Sequence, residues 1–310
     1  MPKVSVIMAS YNKEKYIGRA IESVLNQTMA DFEFIIVDDV SSDKSVEVIR
    51  SYPDPRIRFF QNEVNQGIAA TRNLALEKAE GAYIALLDAD DITTAFRLEV
   101  ESAFLDKNPE ISVVFGGFNE IDENDVPRET YFTPLKNPAF IKARLLVQNV
   151  IPNGTCMYRK AFVDQYGIRY RDGYLGMDDY LFWVECSLHG NITGLPDLFL
   201  YWRNISENNT HRYLYSEEFG GSRRKKFAEI QKFALERNGF SLTDAELNVY
   251  TRLLSEHHEK IEEQQDVAAL WSVFKKLCRQ AQGMHNANEV RRMYRKQFGM
   301  SLENSYLWDE

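Results

Sequence analysis

YIALLDADDI, residues 83–92, runs from five apolar or aromatic side chains straight into three carboxylates, Asp88, Asp90 and Asp91. A continuous apolar run of this length reads as a strand buried on both faces, the kind a parallel sheet uses. Aspartates crowded at its end repel one another. A hard divalent cation compensates such a cluster, because it binds carboxylate oxygens and reverses the local charge balance. A solvated loop, with Asp91 capping the following helix, would account for the same letters.

The flanking residues favour the strand. VSVIMAS (4–10), FEFIIVDD (32–39) and IRFFQN (57–62) are further apolar runs, separated by segments of helical spacing at 16–27, 43–52 and from Gly67 to about Ala79. Strands alternating with helices of this length predict βαβ units and a parallel sheet, whose ligands gather at the carboxyl ends of the strands. Three of these four strands end in polar groups suited to a ligand: Ser10-Tyr11, Asp38-Asp39 and Asp88-Ala89-Asp90. The pattern then becomes mixed. A helix is expected over 94–107, a strand over 111–122, a helix over 181–190 stopped by Gly190, and a strand over 199–204. From about Tyr215 onward the chain reads as helix, with Thr243 and Glu246 spaced for a capping box and an apolar stripe through Leu270, Phe274, Leu277, Cys278 and Ala281.

A chain of 310 residues with 44% hydrophobic and 27% charged content is ordinary for a globular protein and long enough for a domain plus a helical extension. The net charge of −9 argues against nucleic acid as a partner. Residues 213–310 balance 15 Lys+Arg against 15 Asp+Glu, so the whole excess of acid lies before Tyr213. Three scattered cysteines show no paired spacing, and the N-terminal apolar stretch is too short for a signal peptide. The expectation is a reduced, cytoplasmic protein.

VSVIMASYN (4–12), FIIVDDVSSDKS (34–45), NQGIAATRNLAL (65–76), IALLDADD (84–91) and GMDDYLFW (176–183), in that order, resemble the inverting glycosyltransferases of family 2. The resemblance covers roughly residues 1–212. It implies the GT-A fold, a Rossmann-like, mostly parallel sheet flanked by helices. The nucleotide-binding half is expected over 1–92, the acceptor half over 93–212, and an α-helical C-terminal extension over 213–310. It also implies a nucleotide-sugar donor with UDP as the nucleotide, and Mn²⁺ or Mg²⁺ as cofactor. The acceptor would be a saccharide or glycolipid in polysaccharide synthesis.

By the same resemblance Tyr11 stacks on uracil, the strand end at Ala9 meets the base through its backbone, and Asp39 accepts from the imide N–H. Arg72 faces the nucleotide. Asp88 reaches the ribose, or the metal through water, and Asp90 is the metal ligand of the D-x-D motif. Asp179 is the base that deprotonates the acceptor, and the role of Asp178 is left open. His211, in an Asn-rich loop, is a further candidate metal ligand. Each position has a plainer reading: Tyr11 packing on the sheet, Arg72 as a solvated charge, Asp179 as a helix cap. Asp91 is assigned to the helix cap. The basic run Arg223–Lys226 suggests peripheral contact with anionic lipid, and the stripe through Leu270 suggests a bundle core or a dimer contact.

Two other classes compete. A sugar nucleotidyltransferase or a nicotinamide enzyme should carry a Gly-rich loop after the first strand, and MASYNKEKY has no glycine. A non-catalytic scaffold of the same fold predicts degraded carboxylates, yet Asp39, Asp88, Asp90 and Asp179 are all present.

Overall fold

A computed structural model describes residues 1–131, 135–174, 176–205, 217–254, 264–284 and 286–303, with backbone alone at 217–223, 253–254, 264 and 300–303. The chain forms two compact units, Met1–Lys136 with Ile151–Arg212 and Asn137–Val150 with Tyr213–Glu310. The segment 137–150, which sequence reading puts in the acceptor half, belongs to the second unit.

The first unit opens with β1 (Val4–Ser10), α1 (Ile17–Leu25), β2 (Phe32–Asp38), α2 (Ser45–Arg50), β3 (Ile57–Gln61), α3 (Ile68–Lys78) and β4 (Tyr83–Leu86). Every residue of β2 and β4 is buried, the apolar ones as strands covered on both faces require and Glu33 of β2 by pairing with Ser5 and Arg58. On α1, Ile17, Ala20, Ile21 and Val24 make one buried face at helical spacing. These strands lie parallel in the order β3-β2-β1-β4. The chain builds outward from β1 to β3, then α3 carries it back across the sheet to β4. That reversal makes the gap between β1 and β4 a topological switch point, where open α/β sheets bind their ligands.

Beyond β4 the sheet is mixed. Next come β5 (Ile92–Thr93), α4 (Arg97–Lys107), β6 (Ile111–Ile121), β7 (Pro127–Tyr131), β8 (Met157–Arg159), α6 (Lys160–Gln165), α7 (Asp178–His189) and β9 (Asn191–Arg203), with α5 (Pro138–Arg144) lying in the second unit. β8 runs antiparallel to both β4 and β6, β6 pairs parallel with β9, and β5 and β7 join antiparallel. The parallel arrangement therefore holds for the first four strands. β8, three residues long, enters in the opposite sense between β4 and β6. β9 begins immediately after Gly190 stops α7, well before the strand expected at 199–204.

Buried Arg97 fastens the two halves of the sheet. Its guanidinium donates to the carbonyls of Leu86 (2.9 Å), Gly154 (2.7 Å) and Cys156 (2.8 Å), and to the Glu101 carboxylate (2.8 Å). Burial outweighs this pairing and pushes Glu101 up to about 7.

The second unit packs α5 with α8 (Glu217–Arg237), α9 (Asp244–Leu254), α10 (Gln264–Gln280) and α11 (Ala287–Glu303). The capping box forms as expected: Thr243 N–H donates to Glu246 and Glu246 N–H to Thr243 Oγ1. Leu270, Phe274, Leu277 and Ala281 are buried, so the stripe faces the core of this unit. Of the basic run 223–226, Lys226 pairs with Glu229 at 2.8 Å. Among the described residues, no helix is long and apolar enough to cross a membrane.

Replacing Arg97 by Met would remove the guanidinium's hydrogen bonds to three buried carbonyls and the Glu101 carboxyl, the Cys156 carbonyl keeping a second donor in the Leu86 N–H. The expected loss is about 3–5 kcal/mol of stability, read as a lower urea midpoint and melting temperature. A variant as stable as wild type would show that Arg97 is not the fastening.

Candidate active site

Tyr11, Asp39, Asp88 and Asp90 follow the carboxyl ends of β1, β2 and β4, around the switch point. The turns that leave these strands are held in uncommon conformations. Asn12 has φ 51° and Val40 φ 63°, left-handed values that a β-branched residue adopts at a cost. Ser41 and Ser42 do not cap α2. Ser41 Oγ accepts from Asn12 N–H, and Ser42 N–H donates to Asn12 Oδ1. Asp43 accepts from Ser45 N–H and from Glu14 N–H, which ties the start of α2 to the loop after β1. Buried Asp38 accepts from Ser41 N–H and Gln61, which makes it a turn-orienting residue.

Asp39 is buried and accepts three hydrogen bonds, from Asn62 Nδ2 (2.7 Å), Gln66 N–H (2.8 Å) and Gly67 N–H (2.9 Å). It thereby fixes the turn before α3, where Gly67 at φ 84° adopts a conformation that side chains disfavour. Asp39 Oδ2, with one of these bonds, keeps capacity to accept another. The Tyr11 side chain is nearby in the fold order and 49% exposed, which sets aside the reading in which it packs into the sheet. Ala9 pairs with Val37 one residue inside the end of β1.

Arg72 is not a solvated surface charge. It is buried, and it donates to Asp88 Oδ1 (2.8 Å) and Asp178 Oδ2 (2.5 Å), with its guanidinium 5.3 Å from the centre of the Tyr170 ring. The two carboxylates hold its pKa above the ordinary arginine value. One side chain of α3 thus ties the end of β4 to the first turn of α7, while Asp39 has other partners.

Asp178 and Asp179 both lie in the first turn of α7, where the helix dipole favours negative charge. Neither is the cap residue, which is Met177. Burial raises the pKa of Asp178 against the pull of Arg72. Asp179 is pushed up to about 7, by loss of solvent and then by the neighbouring Asp178 charge.

Asp91 is not a helix cap. Residues 92–93 pair with β9 as β5, which delays the helix to Arg97, with Phe96 at its cap position. Buried Asp91 instead accepts from the Arg203 N–H at 2.9 Å. Burial and the adjacent Asp90 and Asp88 charges raise its pKa well above the usual carboxylate value.

Two further residues complete the cluster: Lys13, which sequence reading passes over, and Arg203, which the family resemblance places with Trp202 and His211 in a segment expected to close over the diphosphate. Lys13 Nζ lies 2.6 Å from Asp90 Oδ2. Buried Arg203, at the end of β9, donates from Nε to the Asp90 carbonyl (2.8 Å) and from Nη1 to the Asp122 carbonyl (2.7 Å), pairs with Asp125, and lies over the Tyr16 ring. Lys13 carried a signal, being two positions beyond Tyr11 in a strand-end loop. Trp183 is fully buried against Tyr158 and Phe182, which makes it core, and Trp202 packs edge-on to Phe118. His211 lies outside the described residues.

Residues 5–167 match the sequence profile of glycosyl transferase family 2. The chain is 39% identical over 191 residues to an uncharacterized glycosyltransferase of Methanocaldococcus jannaschii, a match covering 60% of this chain and 64% of that protein. It is 42% identical over 123 residues to the Escherichia coli UDP-Glc:alpha-D-GlcNAc-diphosphoundecaprenol beta-1,3-glucosyltransferase WfgD, covering 40% of this chain and 48% of that protein. The chain thus spans 64% and 48% of the length of these two relatives. Among solved structures, Staphylococcus aureus TarS 1–349 in complex with UDP-GlcNAc superposes with a TM-score of 0.66 at 20% identity, over 98% of this chain and 93% of that one. The fold is accordingly GT-A, with helices at the C-terminus, and the profile match covers more than half of the sequence. The chain belongs to glycosyl transferase family 2.

Proposed function

We propose that this chain is an inverting hexosyltransferase that moves a sugar from a UDP-sugar to a hydroxyl of a saccharide or glycolipid acceptor. The observation that carries this reading is the convergence of Tyr11, Asp39, Asp88 and Asp90 on one switch point, with Arg72 linking Asp88 to the helix turn that bears Asp179. The UDP-Glc donor in the name of the E. coli relative supports UDP as the nucleotide.

Asp88 and Asp90 offer hard carboxylate oxygens, and among the described residues no third His, Cys, Asp or Glu joins them into a closed cage. Such a donor set fits a Mn²⁺ or Mg²⁺ ion that takes its remaining ligands from diphosphate and water. His211 is a candidate to add to it. When bound, the ion offsets the negative charge that develops on the departing diphosphate.

The protein's own groups do the rest. The exposed ring of Tyr11 offers a stacking face for the base, and Asp39 Oδ2 an acceptor for its imide N–H. Arg72 holds Asp88 in place and takes up the charge of Asp178, which makes Asp178 a positioning residue. Asp179 receives the proton of the acceptor hydroxyl as the new bond from that oxygen to the anomeric carbon forms and the bond to the diphosphate breaks. A pKa near 7 makes it a better base than an ordinary aspartate while leaving it largely ionised at slightly alkaline pH. Attack from the face opposite the diphosphate inverts the centre, so an α-linked donor yields a β-glycoside.

Calorimetric titration of UDP in Mn²⁺ should show binding that EDTA removes and that Asp90→Ala weakens by roughly tenfold or more. Absence of UDP, GDP and dTDP binding alike would overturn the enzyme reading. For the base, kcat/KM should fall as the pH drops through about 7, because Asp179 works only as the carboxylate. Asp178→Asn removes the neighbouring negative charge and should move that limb to lower pH. Asp179→Asn should cost roughly 10²–10⁴ in rate with the fold retained. A pH limb unmoved by Asp178→Asn would assign it to another group.

A further inference from the structure

We infer that Lys13 is an internal counter-ion that occupies Asp90 when no nucleotide is bound, and that it makes cation binding conditional on a diphosphate. The inference rests on the reading of Asp88 and Asp90 as the cation site and goes beyond it.

The loop that carries Lys13 is fastened by its backbone. Asn12 N–H donates to Ser41 Oγ (2.9 Å), Lys13 N–H to Ser45 Oγ (2.7 Å) and Glu14 N–H to Asp43 Oδ2 (2.9 Å). From that fixed anchor the side chain reaches across the switch point, and its ammonium meets Asp90 Oδ2 at 2.6 Å. The pair is sheltered, with 22% of the Lys13 side chain and 12% of the Asp90 side chain exposed.

Each carboxylate at this strand end has a different partner. Asp88 is held by Arg72 and Asp91 by the Arg203 N–H, while the Arg203 Nε donates to the Asp90 carbonyl. Lys13 pairs with the Asp90 carboxylate, beside two further acids. A dication that approaches this oxygen while the ammonium stays meets like charge at contact distance. Lysine can yield, since it is a point charge on a flexible four-carbon stem and not a planar fork locked by two bonds. An incoming diphosphate offers the displaced ammonium a new anionic partner and offers the cation its missing oxygens. Nucleotide and cation should then bind with positive coupling, and by linkage each strengthens the other equally.

The test is Mn²⁺ binding followed by electron paramagnetic resonance, without nucleotide and with saturating UDP, on wild type, Lys13→Gln, Lys13→Met and Lys13→Arg, each checked for fold by circular dichroism. Wild type should bind Mn²⁺ weakly alone and more tightly with UDP. The two neutral variants should bind Mn²⁺ alone about tenfold more tightly than wild type, as expected when a like charge is removed at this range, and UDP should enhance that binding less. Lys13→Arg, which keeps the positive charge, should bind nucleotide-free Mn²⁺ as weakly as wild type, with a smaller gain from UDP because the planar fork yields less readily. Neutral variants that bind nucleotide-free Mn²⁺ no better than wild type would overturn the inference while leaving the cation site in place. No Mn²⁺ bound by any of the four proteins, with UDP or GDP, would overturn the cation site itself and the inference with it.

Discussion

Three carboxylates within four residues at the end of β4 set the constraint around which the first unit is arranged. Gathered there without partners they would push the strand end apart. Each is instead met by a group from a different part of the chain: Asp88 by Arg72 of α3, Asp90 by Lys13 of the loop after β1, Asp91 by the backbone of Arg203 at the end of β9. Sheltered charges are tolerable when their hydrogen-bonding capacity is met this way. The partners also differ in kind. Arg72 is a buried fork engaged on both sides, and the Arg203 N–H belongs to the main chain. Lys13 is the flexible one. The arrangement braces Asp88 and Asp91 and leaves Asp90 releasable.

Arg72 carries the same logic to α7. Asp178 and Asp179 are adjacent in sequence and share the positive end of one helix dipole, yet they have different surroundings. Asp178 is engaged by Arg72, while Asp179 receives the electrostatic cost of its neighbour. Burial raises the pKa of both carboxyls and Arg72 opposes the rise in both. One arginine reaching from α3 thus links the strand end and the helix turn electrostatically.

The parallel half of the sheet was legible because strands buried on both faces must be written as short apolar runs, and VSVIMAS, FEFIIVD and YIAL are such runs. The strand-end polar groups were legible for the same reason: they interrupt apolar pattern abruptly. The later half was not. β8 is too short to show a period, β5 is two residues long, and β9 includes Gly194 and Pro196 within a run that pairs with β6. Asp91 was misread as a cap because nothing local reveals that Ile92–Thr93 pairs with a strand a hundred residues on. The partners Arg72–Asp178, Lys13–Asp90 and Arg203–Asp91 are likewise invisible to periodicity, since a charge gives no sign in sequence of which distant charge it will meet. The order of five motifs supplied what periodicity could not, namely the family and its candidate residues.

The backbone of the D-x-D segment is clamped at both ends by arginines that come later in the chain. Arg97 binds the carbonyl of Leu86, and Arg203 binds the carbonyl of Asp90. Both bonds go to main-chain carbonyls and restrain this stretch against main-chain movement. With the backbone fixed, mutual repulsion among the acids can be relieved only at the level of side chains, by the cations already present or by a ligand that replaces them. On the proposed reading of this site, such a scaffold does not reorganise when charge develops in front of it, which is the condition under which fixed groups stabilise a transition state most effectively. The two clamping arginines are therefore as much a part of the site's chemistry as the carboxylates, although they stand behind it.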